Sequence, residues 1–283
     1  MATFASYDGA QLSYTTVGDG PPLVCVPGGP GRAVAYLEDL AGLSAVRTLV
    51  LLDLRATGQS EVPGDPETLR FDRMALDLEA LREHLGLAAL DVLAHSAGSI
   101  VAQAWASAHP DRVGALVLVT PSDRLQGGSR ADLPQIRALF AGEPWYADAQ
   151  EAQDAFDDGA LPSQRASLER ATRPFFYGRW DARTQAHAAS ADRQSSKRAQ
   201  LGFSAGSEQV DVTGLLAGLR QVTAPVLVVG GSRDALTGVD SVQAVAGCFP
   251  KAMTVVLDGA GHFPWVDQPE GFRSAVAGFL GTL

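Results

Sequence analysis

Residues 90–101 read Leu-Asp-Val-Leu-Ala-His-Ser-Ala-Gly-Ser-Ile-Val. The apolar run predicts a short strand that passes through Ser96 directly into a helix. The residues two before and two after the serine are Ala94 and Gly98, and a tight strand-to-helix turn requires small residues at those positions. Such a turn raises the serine hydroxyl above the sheet edge and points the first helical N–H groups towards it. We therefore predict Ser96 as a nucleophile and the Ala97 N–H as an oxyanion donor.

The strand at 90–95 belongs to a series of short apolar segments of the kind that fill the middle of a parallel sheet. They lie at 23–27, 48–53, 90–95, 115–120, 225–230 and 253–257. A hairpin signal, Asp8-Gly9, joins two alternating segments at 3–7 and 11–17. Helical patterns fall at 33–44, 71–85, 97–108 and 269–281. The alternation predicts an α/β fold with a mostly parallel, eight-stranded sheet flanked by helices.

The strand pattern is interrupted once, after Pro121. Residues 122–222 hold helical stretches and several aromatic side chains but no convincing strand. A structureless loop of that length is improbable inside a compact domain. We therefore predict a sheet domain formed by 1–121 and 223–283, with 122–222 inserted as a helical cap over the strand ends beside Ser96.

Composition excludes several classes of function. The chain has 283 residues and a formal net charge of −10 without any basic run, which disfavours nucleic acid as a partner. No apolar stretch approaches the roughly 20 residues that span a membrane, and the N-terminus lacks the pattern of a signal peptide. No Cys/His cluster has metal-ligand spacing. These features predict a cytoplasmic protein that acts on a small molecule or short peptide without a metal or cofactor.

A serine hydroxyl needs an adjacent base, and that base needs a carboxylate. His262 is the predicted base, because it lies on a glycine-rich loop, Asp258-Gly-Ala-Gly-His262, just beyond the last strand. Asp234 is the predicted acid, because it follows the strand at 225–230. Asp123, which follows the preceding strand, is the alternative acid, and Asp258 is interpreted as a possible cap of its own loop.

A second oxyanion donor is expected from the loop after the strand at 23–27. This loop reads Pro27-Gly-Gly-Pro-Gly31, and its glycines allow the backbone to approach a ligand closely. We predict the Gly29 N–H as the donor, with Gly28 and Pro30 as neighbouring substrate contacts. A plain turn is the alternative interpretation, since clusters of glycine and proline are common in turns.

These segments together resemble the α/β-hydrolases, and specifically the branch that contains the proline iminopeptidases. Residues 27–31 resemble that branch's His-Gly-Gly-Pro-Gly loop, and residues 53–60 resemble its Asp-x-Arg-Gly-x-Gly-x-Ser turn. Residues 94–98 and 259–264 resemble its serine and histidine segments, and the chain order serine, acid, histidine is that of the class. The chain departs from the branch at Pro27, Ala94 and Ala97, where the branch has histidine, glycine and tryptophan.

The resemblance implies an aminopeptidase that removes a small N-terminal residue through a serine acyl-enzyme. Such an enzyme must recognise a free ammonium group, and Asp181 is the first candidate because it follows Trp180 much as a glutamate follows tryptophan in the branch's cap. Most aromatic side chains of the insertion are expected to form its own core, and Trp145, Phe175 and Trp180 are predicted to be shared between that core and the substrate cavity. The weaker candidates for the ammonium are Glu143, Glu169 and Glu208.

Two further functions stay open at this point. The same catalytic residues can hydrolyse small esters or lactones, including an intermediate of a biosynthetic pathway. A non-catalytic ligand-binding protein of the same fold is a different class, disfavoured because serine, acid, histidine and the glycine loop are all present. The serine at the turn argues against a dehalogenase or epoxide hydrolase, since those enzymes use aspartate there.

Overall fold

A computed structural model describes residues 1–161 and 163–281, and at its centre is one eight-stranded sheet. The strands are β1 (Ala2–Ala5), β2 (Gln11–Val17), β3 (Pro22–Val26), β4 (Thr48–Leu52), β5 (Leu90–His95), β6 (Val113–Val119), β7 (Val226–Gly231) and β8 (Ala252–Leu257). Their order is β1-β2-β4-β3-β5-β6-β7-β8. β2 pairs antiparallel with β1 and with β4, and the other neighbours pair in parallel. The predicted fold class is confirmed.

Helices cover both faces of the sheet. They are α1 (Phe71–His84), α2 (Gly98–Ala108), α3 (Leu133–Ala138), α4 (Tyr146–Asp157), α5 (Arg165–Thr172), α6 (Ala182–Gln194), α7 (Lys197–Gly202), α8 (Val212–Leu219), α9 (Asp240–Ala246), α10 (Pro264–Asp267) and α11 (Pro269–Gly281). In β3, Val24 and Val26 share a core with α1 and α2, whereas Leu23 and Cys25 share a core with α11. The strand is continuously apolar because both of its faces are buried.

The prediction of a helix at 33–44 is wrong. Two single turns of 3-10 helix, Val34–Leu37 and Leu43–Ala45, take its place. Between them Glu38, Leu40 and Ala41 have φ values of 54°, 52° and 59°. An α-helix needs φ near −63°, so these left-handed residues end the helical path. The regularly spaced apolar side chains of this segment are buried in the core beside the sheet, although the segment is not an α-helix.

Between β6 and β7, the described part of 122–222 contains the helices α3 to α8, short 3-10 turns and connecting loops, and no strand. Helix α8 packs beside α2: the Ser107 hydroxyl donates to the Leu215 carbonyl at 2.8 Å, and Leu219 lies in the core shared with α2. The division of the chain at 121 and 222 stays a prediction. Across 1–161 and 163–281, no helix has both the length and the apolar character needed to cross a membrane.

Candidate active site

The serine predicted as nucleophile lies on the turn between two elements. β5 ends at His95 and α2 begins at Gly98, and between them Ser96 has a φ of 53°. This conformation costs a non-glycine residue roughly 1–3 kcal/mol. A Cβ on Gly28 would lie 2.8 Å from the Ser96 Cβ, and a Cβ on Gly98 would collide with the Pro27 carbonyl oxygen. Glycine at both positions therefore lets the 27–31 loop lie directly against the serine.

The structure brings the predicted acid and base together. His262 Nδ1 lies 2.9 Å from Asp234 Oδ2, and both side chains are buried. The carboxylate also accepts hydrogen bonds from the N–H of Leu236 (2.9 Å) and from the N–H and hydroxyl of Thr237 (3.1 and 2.5 Å). Burial disfavours the charged form of Asp234, but the nearby His262 and the hydrogen bonds from His262 and Thr237 outweigh it, so its pKa is lowered.

This pairing determines the tautomer of the histidine. An ionised carboxylate only accepts hydrogen bonds, so His262 Nδ1 carries a proton, and in a neutral imidazole Nε2 is then the acceptor. A neutral imidazole with a free Nε2 is the form that a general base requires. The alternative acid, Asp123, has one buried carboxylate oxygen without a hydrogen-bond partner anywhere in the described chain, and burial raises its pKa. Asp258 accepts from the Ser232 hydroxyl at 3.1 Å.

A chain of buried hydrogen bonds connects the 27–31 loop to the histidine loop. The Gly28 N–H donates to the Tyr36 hydroxyl at 2.7 Å, and that hydroxyl lies 2.7 Å from His95 Nδ1. His95 Nε2 lies 2.9 Å from the His262 carbonyl oxygen, which also accepts from the Thr120 hydroxyl at 2.9 Å. Burial, followed by the neighbouring His262, holds the pKa of His95 well below its usual range. Neutral His95 therefore donates to the carbonyl and accepts from Tyr36.

Two backbone N–H groups beside the serine are available to an oxyanion. Tyr36 occupies the Gly28 N–H, whereas within the described residues neither Gly29 nor Ala97 donates its N–H to any acceptor. Gly29 lines the cavity with a φ of 121°, which glycine tolerates, and Ala97 precedes the first residue of α2. Two unpaired donors beside the predicted nucleophile fit the needs of a tetrahedral oxyanion. Gly28 and Pro30, predicted to contact substrate, flank Gly29 but lie outside the cavity wall.

One cavity contains the three groups that would meet the substrate. Ser96, His262 and Gly29 form part of its wall. The remaining wall is largely apolar and aromatic and comes from both the sheet domain and the insertion: Tyr36, Phe176, Tyr177, Ala188, Ala191, Leu236 and Phe263. Its charged side chains are Arg32, Glu169 and Arg173. A cavity that combines apolar and aromatic walls with polar groups suits a small organic substrate.

The structure does not place the predicted aromatic residues of the insertion in this cavity. The rings of Trp145 and Phe175 lie 5.4 Å apart and pack with Phe140 in an apolar cluster that also includes Ala235, from the segment after β7. Trp180 packs on Tyr177, with ring centroids 5.5 Å apart. A small helical unit needs large side chains to bury enough apolar surface, and these rings fill that role.

Asp181, the predicted anchor of a substrate ammonium, also lies outside the cavity wall. It caps α6 by accepting from the N–H groups of Arg183 (2.9 Å) and Thr184 (3.1 Å), and it pairs with Arg179 at 2.9 Å. Hydrogen bonding to these N–H groups lowers its pKa. The first turn of a helix leaves N–H groups unpaired, and an aspartate there satisfies them locally. Among the weaker candidates, Glu169 lines the cavity, as an exposed side chain.

Asp267, which the sequence analysis missed, joins the histidine loop to the insertion. Its Oδ2 accepts from the N–H groups of Gly178 (2.9 Å) and Gly261 (2.8 Å), one on each segment. Its other carboxylate oxygen has no partner in the described chain. Burial raises the pKa of Asp267 to about 6, against the two backbone hydrogen bonds.

Other contributors had weak signals in the sequence. Thr237 stands three residues after Asp234, a spacing typical of a polar turn, and Arg32 is a charged residue directly after the glycine loop. Tyr36 gave no signal, because its position within an apolar pattern is typical of a core residue.

Comparisons with known proteins identify the family and the fold. The family described as alpha/beta hydrolase fold matches residues 21–269. A proline iminopeptidase from Heyndrickxia coagulans is 23% identical, over 99% of this chain and 98% of its own length. A pimeloyl-[acyl-carrier protein] methyl ester esterase from Chromobacterium violaceum is 29% identical, over 96% and 99%. An esterase structure from Exiguobacterium antarcticum superposes with a TM-score of 0.75 at 17% identity, covering 99% of both chains.

Proposed function

The chain belongs to the alpha/beta hydrolase fold family, and from that premise we propose that it is a serine hydrolase of small esters or lactones. One observation carries the choice of ester over peptide. In the described part of the cavity wall the only carboxylate is Glu169, which is exposed, and Asp181 is engaged at a helix end. A site for a substrate ammonium needs a desolvated carboxylate near the scissile carbonyl, whereas an ester needs none.

The proposed reaction proceeds through an acyl-enzyme. Ser96 Oγ attacks the carbonyl carbon while His262 Nε2 takes the hydroxyl proton, and Asp234 stabilises the imidazolium. The Gly29 and Ala97 N–H groups hold the oxyanion of the tetrahedral intermediate. The C–O bond to the alcohol then breaks and His262 returns the proton to the leaving oxygen. Water, deprotonated by His262, attacks the acyl-enzyme and releases the acid.

An aminopeptidase is the second candidate. It is supported by the 23% identity to a proline iminopeptidase over nearly the whole chain and by the position of Glu169 in the cavity wall. In that mechanism Glu169 holds the substrate ammonium, and the leaving group is an amine. The esterase relative, 29% identical over a similar share of the chain, supports the first candidate.

The test compares p-nitrophenyl butyrate with proline p-nitroanilide, together with labelling by a fluorophosphonate probe. We expect ester turnover that greatly exceeds anilide turnover, and labelling that disappears in Ser96→Ala. Anilide turnover equal to or above ester turnover would favour the aminopeptidase, and Glu169→Gln should then raise KM for the anilide alone. No labelling and no turnover of either substrate would indicate a ligand-binding protein.

A further inference from the structure

Arg32 is the buried cation of the cavity. It follows the 27–31 loop, is 7% exposed, and its Cβ lies 3.1 Å from the point where a Cβ on Gly29 would stand. Its Nε donates to the Gln194 amide oxygen at 3.0 Å, and its Nη2 donates to the His187 carbonyl (3.2 Å) and the Ser190 hydroxyl (2.9 Å). All of these partners are neutral.

The guanidinium of Arg32 has no counter-ion. No carboxylate lies within 4.0 Å of it in the described chain, and its Nη1 makes no hydrogen bond there. Burial lowers the pKa of Arg32, and the single carboxylate among the main influences on it, Glu38, is itself paired with Arg183. An arginine nevertheless stays protonated in a protein, so a full positive charge is buried uncompensated. Such a charge is costly unless a partner arrives to pair with it.

The other charged groups of the wall differ from Arg32. Arg173 is paired with Asp192 at 2.6 Å, and Glu169 is exposed to solvent. The guanidinium of Arg32 also lies over the Tyr36 ring, 4.2 Å from its centroid, which holds its plane in place. The cavity therefore contains one pre-positioned cation that lacks a counter-ion, in the wall that also holds Ser96.

We propose that Arg32 binds a carboxylate of the substrate, so that the enzyme prefers esters or lactones that carry a free carboxylate, such as half-esters of short dicarboxylic acids. This inference rests on the proposed ester hydrolysis and deepens it. The free Nη1 supplies up to two charge-assisted hydrogen bonds to the carboxylate, and the apolar wall receives the chain between the two carbonyl groups.

A docking role for Arg32 is the competing explanation. Its three hydrogen-bond partners lie on α6, and Arg32 forms an isolated bridge with Ser195, so the side chain also joins the loop to the insertion. A docking residue affects neutral and charged substrates equally and lowers thermal stability. A carboxylate-binding residue changes the ratio between those substrates.

The experiment compares mono-p-nitrophenyl glutarate, which carries a carboxylate, with neutral p-nitrophenyl pentanoate. We expect the wild type to prefer the charged ester in kcat/KM by tenfold or more. Arg32→Gln should abolish the preference, because it raises KM for the charged ester tenfold or more beyond any change that it causes with the neutral ester, and Arg32→Lys should retain part of the preference. Arg173→Gln is the matched control and should keep the preference.

A wild type without the preference, or equal losses on both esters in Arg32→Gln, overturns the proposal and leaves ester hydrolysis standing. Calorimetry on Ser96→Ala separates the two ideas, because it needs no turnover. Monomethyl glutarate should bind at least tenfold more tightly than dimethyl glutarate, and the difference should vanish when Arg32→Gln is added. If the two compounds bind equally, the proposed carboxylate site is overturned. If monomethyl glutarate binds more tightly but the wild type cleaves neither ester, only the proposed hydrolase activity is refuted.

Discussion

The two sides of the cavity are built differently. On the sheet side, backbone lies against backbone: a Cβ on Gly28 would stand 2.7 Å from the His95 carbonyl oxygen, and one on Gly98 would stand 2.4 Å from the Pro27 carbonyl oxygen. On the insertion side, side chains such as Glu169 and Arg173 form the wall. Where two backbone segments lie in contact, neither can shift without a clash, so their positions are fixed. Side chains in a cavity wall can be replaced by others without moving the backbone. The comparison indicates that close backbone contacts on the sheet side hold the proposed catalytic groups in position. The side chains that line the cavity would then determine which substrate fits.

The largest effect should come from the sheet side. Ser96→Ala removes the proposed nucleophile, and we expect ester kcat to fall on the order of 10⁴–10⁶-fold with little change in thermal unfolding. Steady-state assays of p-nitrophenyl butyrate measure it. Ser107→Ala, near the far end of the helix that follows Ser96 and bonded to the Leu215 carbonyl, is the control and should keep its activity. Substantial turnover by Ser96→Ala would mean that the reaction does not depend on the serine at the sheet side of the cavity.

The second prediction compares the two candidate acids. Asn at 234 can offer an N–H to the imidazole and so favours the wrong tautomer, and we expect Asp234→Asn to lower kcat roughly 10⁴-fold. Asp123→Asn should stay within about twofold, because Asp123 makes no contact with His262 among the hydrogen bonds of the described chain. Both variants are measured with the same ester across pH. The reverse pattern would identify Asp123 as the acid.

The third prediction concerns Asp267, where the two sides meet. Burial raises the pKa of this carboxyl to about 6, above its value of about 3.9 in an unfolded chain. Between those pH values the folded state binds more protons than the unfolded state. The free energy of unfolding therefore falls as pH rises, by up to about 3 kcal/mol from this group. Asp267→Asn keeps an acceptor for Gly178 and Gly261 and should lack that decline.

Urea unfolding at pH 4, 5, 6 and 7 measures the effect as the difference between wild type and Asp267→Asn. An exposed position, Asp158→Asn, is the control and should follow the wild-type pH dependence. Parallel curves for wild type and Asp267→Asn would mean that Asp267 titrates alike in the folded and unfolded states.

The smallest effect belongs to the insertion side. Asp181→Ala removes the cap of α6 and should cost about 1 kcal/mol of folding free energy. Its kcat/KM should remain that of the wild type for ester and anilide alike, since the side chain lies outside the cavity wall. Thermal unfolding and the two assays measure these quantities, and Asp181→Asn, which can still cap, is the control. A selective rise in KM for proline p-nitroanilide would restore Asp181 as an ammonium anchor.

The sheet side of the cavity could be predicted from the sequence better than the insertion side. The elbow around Ser96 and the glycine loops could be found because a close backbone approach demands small residues at fixed spacing. Asp234 and His262 could be proposed because each follows a recognisable strand, and the ends of parallel strands meet at one edge. Trp145, Phe175 and Asp181 could not be placed, because whether an aromatic ring or an acid faces a cavity depends on how helices pack.

The sequence alone determined the sheet, the order of its catalytic candidates and the conformation of the serine turn, because local periodicity and glycine spacing encode them. The tertiary structure decided which acid faces His262, that Tyr36 and His95 connect two loops, and that Arg32 lies buried without a counter-ion. Those facts depend on contacts between residues far apart in the chain. The energies of these contacts arise from burial and pairing, which exist only after the chain has packed. The order of residues in the sequence does not show which side chains will be buried or paired.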